Sequence, residues 1–279
     1  MPKWKIFLKN VLPVPLLNLL RVIRNPISHR SDLSACLSFV LNRDLNTPLR
    51  TRLKILNQLY VIHFAVDSPH TQQEILSYVH TILSLPRDSK GVVVEAGCCK
   101  GSSTAKFSLA ADIACRPLVV FDSFQGIPDN DEPKQTTIFG ETAIFKKGYY
   151  CGSLDEVKMN VSKYGQIACC RFVEGWFEDT LPKFKEPISV IYLDVDLASS
   201  TRMCLKYLYP LLEPGGVLFS QDGHLPLVID VFNDDTFWLN EIGCKKPEVI
   251  GLGKKKLIKI IKEGKPRLHP TCSARFAGE

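Results

Sequence analysis

Gly91-Val-Val-Val-Glu-Ala-Gly-Cys-Cys-Lys-Gly-Ser-Ser-Thr104 is the stretch on which the fold turns. A continuous apolar run that ends in Glu and Gly reads as a strand buried on both faces, followed by a tight turn. Ser102–Ala114 behind it reads as a helix. Glycines let the backbone approach a ligand closely, and a helix N-terminus offers free N–H groups to an anion. The letters match neither G-x-G-x-x-G nor G-x-x-x-x-G-K-[ST], so the dinucleotide and triphosphate fingerprints both fail. The spacing Glu95-x-Gly97-x-x-x-Gly101 suits a ligand with one carboxylate and one amine, although a structural turn uses the same letters.

Downstream, Pro117-Leu-Val-Val-Phe-Asp122 reads as a second buried strand tipped by an acid. A carboxylate there can hold a ribose diol, an arrangement that serves NAD and S-adenosylmethionine (SAM) alike. Gln125–Tyr150 is irregular, and a loop of that length inside a compact domain is usually functional or disordered. Ser153-Leu-Asp-Glu156 is a capping-box pattern that opens a helix to Tyr164. Strands are then expected at Cys170–Phe177, Ile188–Asp194 and Val217–Asp222, with helices at Ser199–Leu212 and 226–242. Glu248-Val-Ile-Gly-Leu and Lys256–Lys262 read as an antiparallel hairpin closing the sheet. Upstream, residues 31–85 read as helices, with Leu49, Leu53, Leu56 and Leu59 on one face and Ile75, Val79 and Ile82 on another.

The implied architecture is α/β: a mostly parallel sheet with a C-terminal antiparallel hairpin and an N-terminal helical extension. The boundaries are 1–85 for the basic arm and helical extension, 86–267 for the sheet domain and 268–279 for a tail. Open sheets of this kind bind ligands at the carboxyl ends of their strands.

The 279 residues are 45% apolar and 23% charged, which excludes collagenous, low-complexity and polytopic membrane classes. The net charge of +6 is unevenly spread. Residues 1–30 hold Lys3, Lys5, Lys9, Arg21, Arg24 and Arg30 and no acid, and 245–267 is also basic, whereas 31–244 is acidic. Val11–Leu20 is too short to span a bilayer and carries Pro13 and Pro15, and no cleavage site follows it. A helix packed on the domain and an amphipathic segment lying on an anionic membrane are both compatible with residues 1–30. The ten cysteines show no C-x-x-C and no zinc-finger spacing, as expected of reduced thiols in a cytoplasmic protein.

Three further groups carry chemistry. Asp194-Val-Asp196 and Gln221-Asp222 end neighbouring strands, and oxygen ligands in an open cleft suit Mg²⁺. A bound cation lowers the pKa of a coordinated hydroxyl, and a nearby carboxylate can take its proton. Asp196 also reads as a cap of the helix that follows. His224 reads equally as a second base or as pocket wall. Gly175-Trp-Phe177, after a strand end, can offer a flat ring to an adenine.

Phe121-Asp-Ser-Phe-Gln-Gly-Ile-Pro128, Gly148-Tyr-Tyr-Cys-Gly-Ser-Leu-Asp-Glu-Val157, Phe172-Val-Glu-Gly-Trp-Phe-Glu-Asp-Thr-Leu-Pro182, Leu193-Asp-Val-Asp-Leu-Ala-Ser-Ser-Thr201 and Leu208-Tyr-Pro-Leu-Leu-Glu-Pro-Gly-Gly216 occur in this order. Together they resemble the macrocin/mycinamicin/novobiocin-type (TylF/MycF) O-methyltransferases over roughly residues 50–250. The resemblance implies a class I SAM-dependent methyltransferase with a Rossmann-like fold, SAM as co-substrate, Mg²⁺ as cofactor and a small-molecule hydroxyl, such as that of a sugar or secondary metabolite, as acceptor. It implies SAM binding by Glu95, Gly97, Gly101, Ser102, Ser103, Asp122 and Ser123, with Gly175, Trp176 and Phe177 beside the adenine. It implies a metal on Asp194, Gln221 and Asp222, with Asp194 also the base. Three departures stand out: Gln221 where the family has Asp, Ala198 where it usually has an aromatic residue, and Cys98-Cys99 in the glycine loop. The competing reading is a SAM-binding protein without metal-dependent catalysis, docked through its basic ends to a membrane or an anionic partner. No specific nucleic-acid motif is present. The acceptor's identity and the oligomeric state are not written in the sequence.

Overall fold

A computed structural model describes residues 30–86 and 89–264. The basic arm before Arg30 and the tail from residue 265 lie outside the described residues. Three helices come first: α1 (Arg30–Leu41), α2 (Leu49–Ala65) and α3 (Gln72–Leu83). The chain then alternates through β1 (Val92–Ala96), α4 (Ser102–Ile113), β2 (Leu118–Asp122), the short pair β3 (Gln135–Thr136) and β4 (Thr142–Ala143), and α5 (Leu154–Tyr164). Next come β5 (Cys170–Glu174), α6 (Phe177–Thr180), β6 (Ile188–Leu193), α7 (Ala198–Leu208), β7 (Leu212–Ser220), α8 (Pro226–Asn233), α9 (Asp235–Phe237) and β8 (Ile258–Ile261).

The main sheet runs β5-β2-β1-β6-β7-β8, parallel except for β8, which pairs antiparallel with β7. Each central strand divides its side chains between two cores, as a two-residue period requires. Val93, Val120, Val190, Tyr192 and Phe219 face one core with residues of α1–α5. Val92, Val94, Val119, Phe121, Ile191, Leu193 and Leu218 face the other with α7, α8 and Trp238. The helices of 30–83 therefore share a core with the sheet.

Several expected elements change shape. The closing hairpin becomes β8 plus a single antiparallel bridge between Ile250 and Lys259. Ile258 and Ile260 point into the core while Lys259 and Ile261 point outward, so the strand exists only where alternate residues can be buried. The helix expected over 226–242 breaks at Asp234, whose side chain accepts the Phe237 N–H and caps a new turn. On α2 Leu59 of the expected leucine row is fully buried, with Arg52, Ile55, Tyr60 and Ile62, and Leu56 packs against the same core, whereas Leu49 and Leu53 are half-exposed because they lie on the side α2 turns away from it. On α3 the expected Ile75, Val79 and Ile82 are fully buried, and Thr71 and Glu74 form a reciprocal capping box at its start.

Strand β1 leads through α4 to β2 on one side, and β6 leads through α7 to β7 on the other. The two strands are neighbours, paired Glu95 to Tyr192 and Ala96 to Leu193. Their carboxyl ends thus form the switch point, where connections leave in opposite directions and a crevice opens.

Candidate active site

A cavity of about 860 Å³ occupies this crevice. Its floor is the turn after β1. Gly97 has φ +82°, and a Cβ there would lie 2.0 Å from the Asp194 carbonyl oxygen, so the residue must be glycine for β1 and β6 to end side by side. Cys99, in the same turn, takes φ +47° despite its side chain. Gly101, with φ +80°, is the N-cap of α4, and Ser102 and Ser103 open the helix against the cavity.

Asp122 ends β2. Its Oδ2 accepts the Cys98 N–H at 2.7 Å and its Oδ1 accepts the Phe124 N–H at 2.8 Å, so the carboxylate locks two loops around itself. Each oxygen keeps a lone pair for a ligand hydroxyl. Ser123, Gly175, Trp176 and Phe177 line the same end of the cavity. Glu95 does not line it. It is fully buried behind the turn and accepts the Thr104 hydroxyl at 2.6 Å, and burial pushes its carboxyl up to about 8. Its position makes it a support of the loop rather than part of the cavity wall.

At the other end, Asp194, Asp196 and Asp222 gather, with one carboxylate oxygen from each within 4.8 Å of the others. Asp222 is fully buried, and its Oδ2 accepts the N–H groups of Val195 and Asp196, both at 3.1 Å. Burial and the nearby Asp194 charge push Asp222 up to about 7. Burial, reinforced by Asp222 and Asp194, also raises Asp196. Asp194 goes the other way: burial would raise it, but His70 outweighs that and holds it below the usual carboxylate range. Lys256 lines the cavity and lowers all three carboxyls.

Gln221 is not the third member of this cluster. Its side chain is buried away from the cavity, where its Oε1 accepts the Tyr192 hydroxyl at 3.1 Å. Alternation along the strand end sends Gln221 into the core and Asp222 into the crevice. Asp196 stands beside Asp194 and Asp222 in its place. Nor does Asp196 cap α7, because the first free N–H groups of that helix, Ala198 and Ser199, are accepted by Glu132 from the loop over the cavity. That loop is ordered by the β3–β4 pair, by Gln135 accepting the Leu227 N–H and by Ile138 donating to the His224 carbonyl. His224 is a wall residue, its ring stacked on Phe139 with centroids 6.1 Å apart.

Sequence reasoning missed His70. It lies between α2 and α3, far from every motif, and its Nε2 is 2.8 Å from Asp194 Oδ2. No local pattern marks it, since the contact spans 124 positions of chain.

A sequence profile of the macrocin O-methyltransferase (TylF) family matches residues 76–234, which carry the glycine turn, Asp122 and the carboxylate cluster. The chain belongs to this family. It is 34% identical over 160 residues to mycinamicin III 3''-O-methyltransferase of Micromonospora griseorubida, covering 53% of this chain and 61% of that one. It is 33% identical over 137 residues to demethyldecarbamoylnovobiocin O-methyltransferase of Streptomyces niveus, covering 47% and 52%. The chain thus spans less than two thirds of the length of either relative. Among solved structures, the O-methyltransferase NovP superposes with a TM-score of 0.60 at 21% identity, over 77% of this chain and 100% of its own. The calicheamicin methyltransferase CalS11 does so with a TM-score of 0.54 at 17% identity, over 85% and 93%. Those two likenesses establish the class I methyltransferase fold. No described helix is long and apolar enough to cross a membrane.

Proposed function

We propose that this family member is a SAM-dependent O-methyltransferase acting on a hydroxyl of a small molecule of the sugar or secondary-metabolite class, assisted by Mg²⁺. One observation carries the reading: the glycine turn with Asp122 and the three-carboxylate cluster open into one cavity, whose volume suits a pair of small molecules. The names of the relatives, all O-methyltransferases of such metabolites, support the acceptor class.

Both groups fit the residues present. The cradle at Gly97, the remaining lone pairs of Asp122 and the α4 N-terminus match the amine, ribose and carboxylate of SAM. Three crowded carboxylates, two of them raised by burial and by neighbouring carboxylates, form the hard-oxygen set a divalent cation prefers. SAM supplies a sulfonium methyl, and Mg²⁺ supplies a charge that acidifies an acceptor hydroxyl.

The chain's own residues divide the remaining work. Asp122 orients the ribose, and Trp176 and Phe177 flank the adenine. Asp194 and Asp222 hold the cation, each with one oxygen already fixed by a protein donor. Among the described residues the Asp196 carboxylate accepts no protein hydrogen bond, so it is the one free to take the hydroxyl proton as the acceptor oxygen attacks the methyl carbon and the sulfur–carbon bond breaks. The 125–150 loop excludes water.

The test is calorimetric titration with SAM, Mg²⁺ and Mn²⁺, followed by an acceptor screen with and without EDTA. Asp196→Asn should lose turnover by about a hundredfold or more while keeping SAM and Mn²⁺, whereas Asp194→Asn should lose Mn²⁺. Turnover retained in Asp196→Asn returns the base role to Asp194. No SAM binding in any buffer sinks the whole reading.

A further inference from the structure

The region before residue 76 lies outside the family match, yet it delivers a side chain to the carboxylate cluster. His70 is 4% exposed, and its Nε2 meets Asp194 Oδ2 at 2.8 Å. An ionised carboxylate only accepts, so Nε2 carries the proton and donates. The imidazole is held edge-on to Tyr192, with ring centroids 6.1 Å apart at 90°.

The backbone that carries His70 is fixed from three sides. Lys106, fully buried on α4, donates from Nζ to Ser68 Oγ at 3.0 Å. Ser102, at the first turn of the same helix, donates to the Val66 carbonyl at 3.4 Å. Immediately after His70, the Thr71 N–H donates to Glu74 Oε2 at 2.8 Å within the capping box of α3. Burying a lysine is costly, and here burial pushes its ammonium down to about 7; a surface Lys would serve the helix as well if the helix were all it supported. Helix α4 thus ties the 66–71 segment to the same turn that forms the glycine floor.

We propose that His70 is a positioning residue for the reaction, supplied by the helical extension. It occupies Oδ2 of Asp194 and fixes the carboxylate's plane, so that a single oxygen remains for the cation or the acceptor. The extension then completes the active site as well as covering the sheet. This inference rests on the metal-assisted reading above. Outer partners of ligating carboxylates act in this way, and their loss typically costs about 10–100-fold in metal affinity or activity.

The test compares wild type, His70→Ala and His70→Gln by calorimetry with Mn²⁺ alone, calorimetry with SAM alone, and methyl-transfer kinetics. In His70→Ala, Mn²⁺ affinity and kcat should both fall by about 10–100-fold while the SAM Kd stays within about twofold. His70→Gln, whose amide can also donate, should recover most of both. Equal losses of SAM and Mn²⁺ binding, with no rescue by Gln, would show a merely structural histidine and overturn the proposal, as would unchanged Mn²⁺ affinity and kcat. A wild-type protein that binds no Mn²⁺ removes the metal-assisted reading itself, and the proposal falls with it; Mn²⁺ affinity that is equal in wild type and both variants removes the proposal alone.

Discussion

Asp222 Oδ2 accepts the backbone N–H of Asp196 at 3.1 Å, so the end of β7 holds in place the turn that follows β6. The same oxygen takes the Val195 N–H. One carboxylate therefore shapes the neighbouring strand's loop and belongs to the cluster it shapes. These two roles can be separated. Asp222→Asn keeps an acceptor oxygen and should hold the melting temperature within a few degrees while losing Mn²⁺ affinity. Asp222→Ala leaves two backbone donors unpaired, at a cost of about 1–3 kcal/mol each, and should lose both stability and Mn²⁺. Equal melting of the two variants would refute the shaping role.

Glu95 predicts how stability responds to pH. Burial raises its carboxyl from 4.5 to about 8. Between about pH 5 and pH 8 the folded chain keeps a proton that the unfolded chain has released, so stability falls as pH rises through that window and this group adds no slope above it. Asp222, raised to about 7, acts with the same sign below that pH. Metal-free protein should therefore melt at progressively lower temperature from about pH 5.5 to pH 7; above that, buried Lys106, lowered to about 7, contributes with the opposite sign and offsets Glu95. Glu95→Gln keeps an acceptor for Thr104 and should flatten the trend. A melting temperature that climbs over this range would contradict the assignment.

Gln221 tests whether position or chemistry matters at the carboxylate cluster. Because its side chain is buried on Tyr192 and away from the cavity, Gln221→Asp should not improve Mn²⁺ affinity. It should instead destabilise the fold by roughly 1–3 kcal/mol, through a shortened, charged side chain in an apolar setting. A tenfold gain in Mn²⁺ affinity would place residue 221 in the coordination sphere after all.

Glu132 joins the loop over the cavity to the start of α7 by accepting from Ala198 N, Ser199 N and Ser199 Oγ. Glu132→Ala removes this cap, worth about 1 kcal/mol. The expected result is faster amide exchange across 125–150 and a raised KM for the acceptor, with SAM affinity kept. Unchanged exchange in that segment would show that the loop is held by its other contacts.

Much of the site could be read in advance because it sits where strands end. Gly97, Asp122, Asp194 and Asp222 follow apolar runs, and a parallel sheet brings all such ends to one edge, whatever the loops do. Glu95 and Gln221 were harder to place. Residues one step apart at a strand end point to opposite faces, and a string of letters does not say which face holds the crevice. On α2 the row at helical spacing is only partly on the core side for a related reason: Leu56 and Leu59 pack inward with Ile55 and Ile62, while Leu49 and Leu53 stay half-exposed.

The sequence by itself determined the alternating α/β order, the buried parallel strands, the glycine turn and the family. Each of these depends on local periodicity or on contiguous motifs. Tertiary structure alone decided that Asp196 rather than Gln221 joins the carboxylate cluster, that Glu132 caps α7 across 66 positions, and that His70 reaches Asp194 across 124. Such contacts arise because packing helices on a sheet brings distant loops to one rim, and the pairing of loops there is set by the geometry of the core beneath them, which no short stretch of sequence contains.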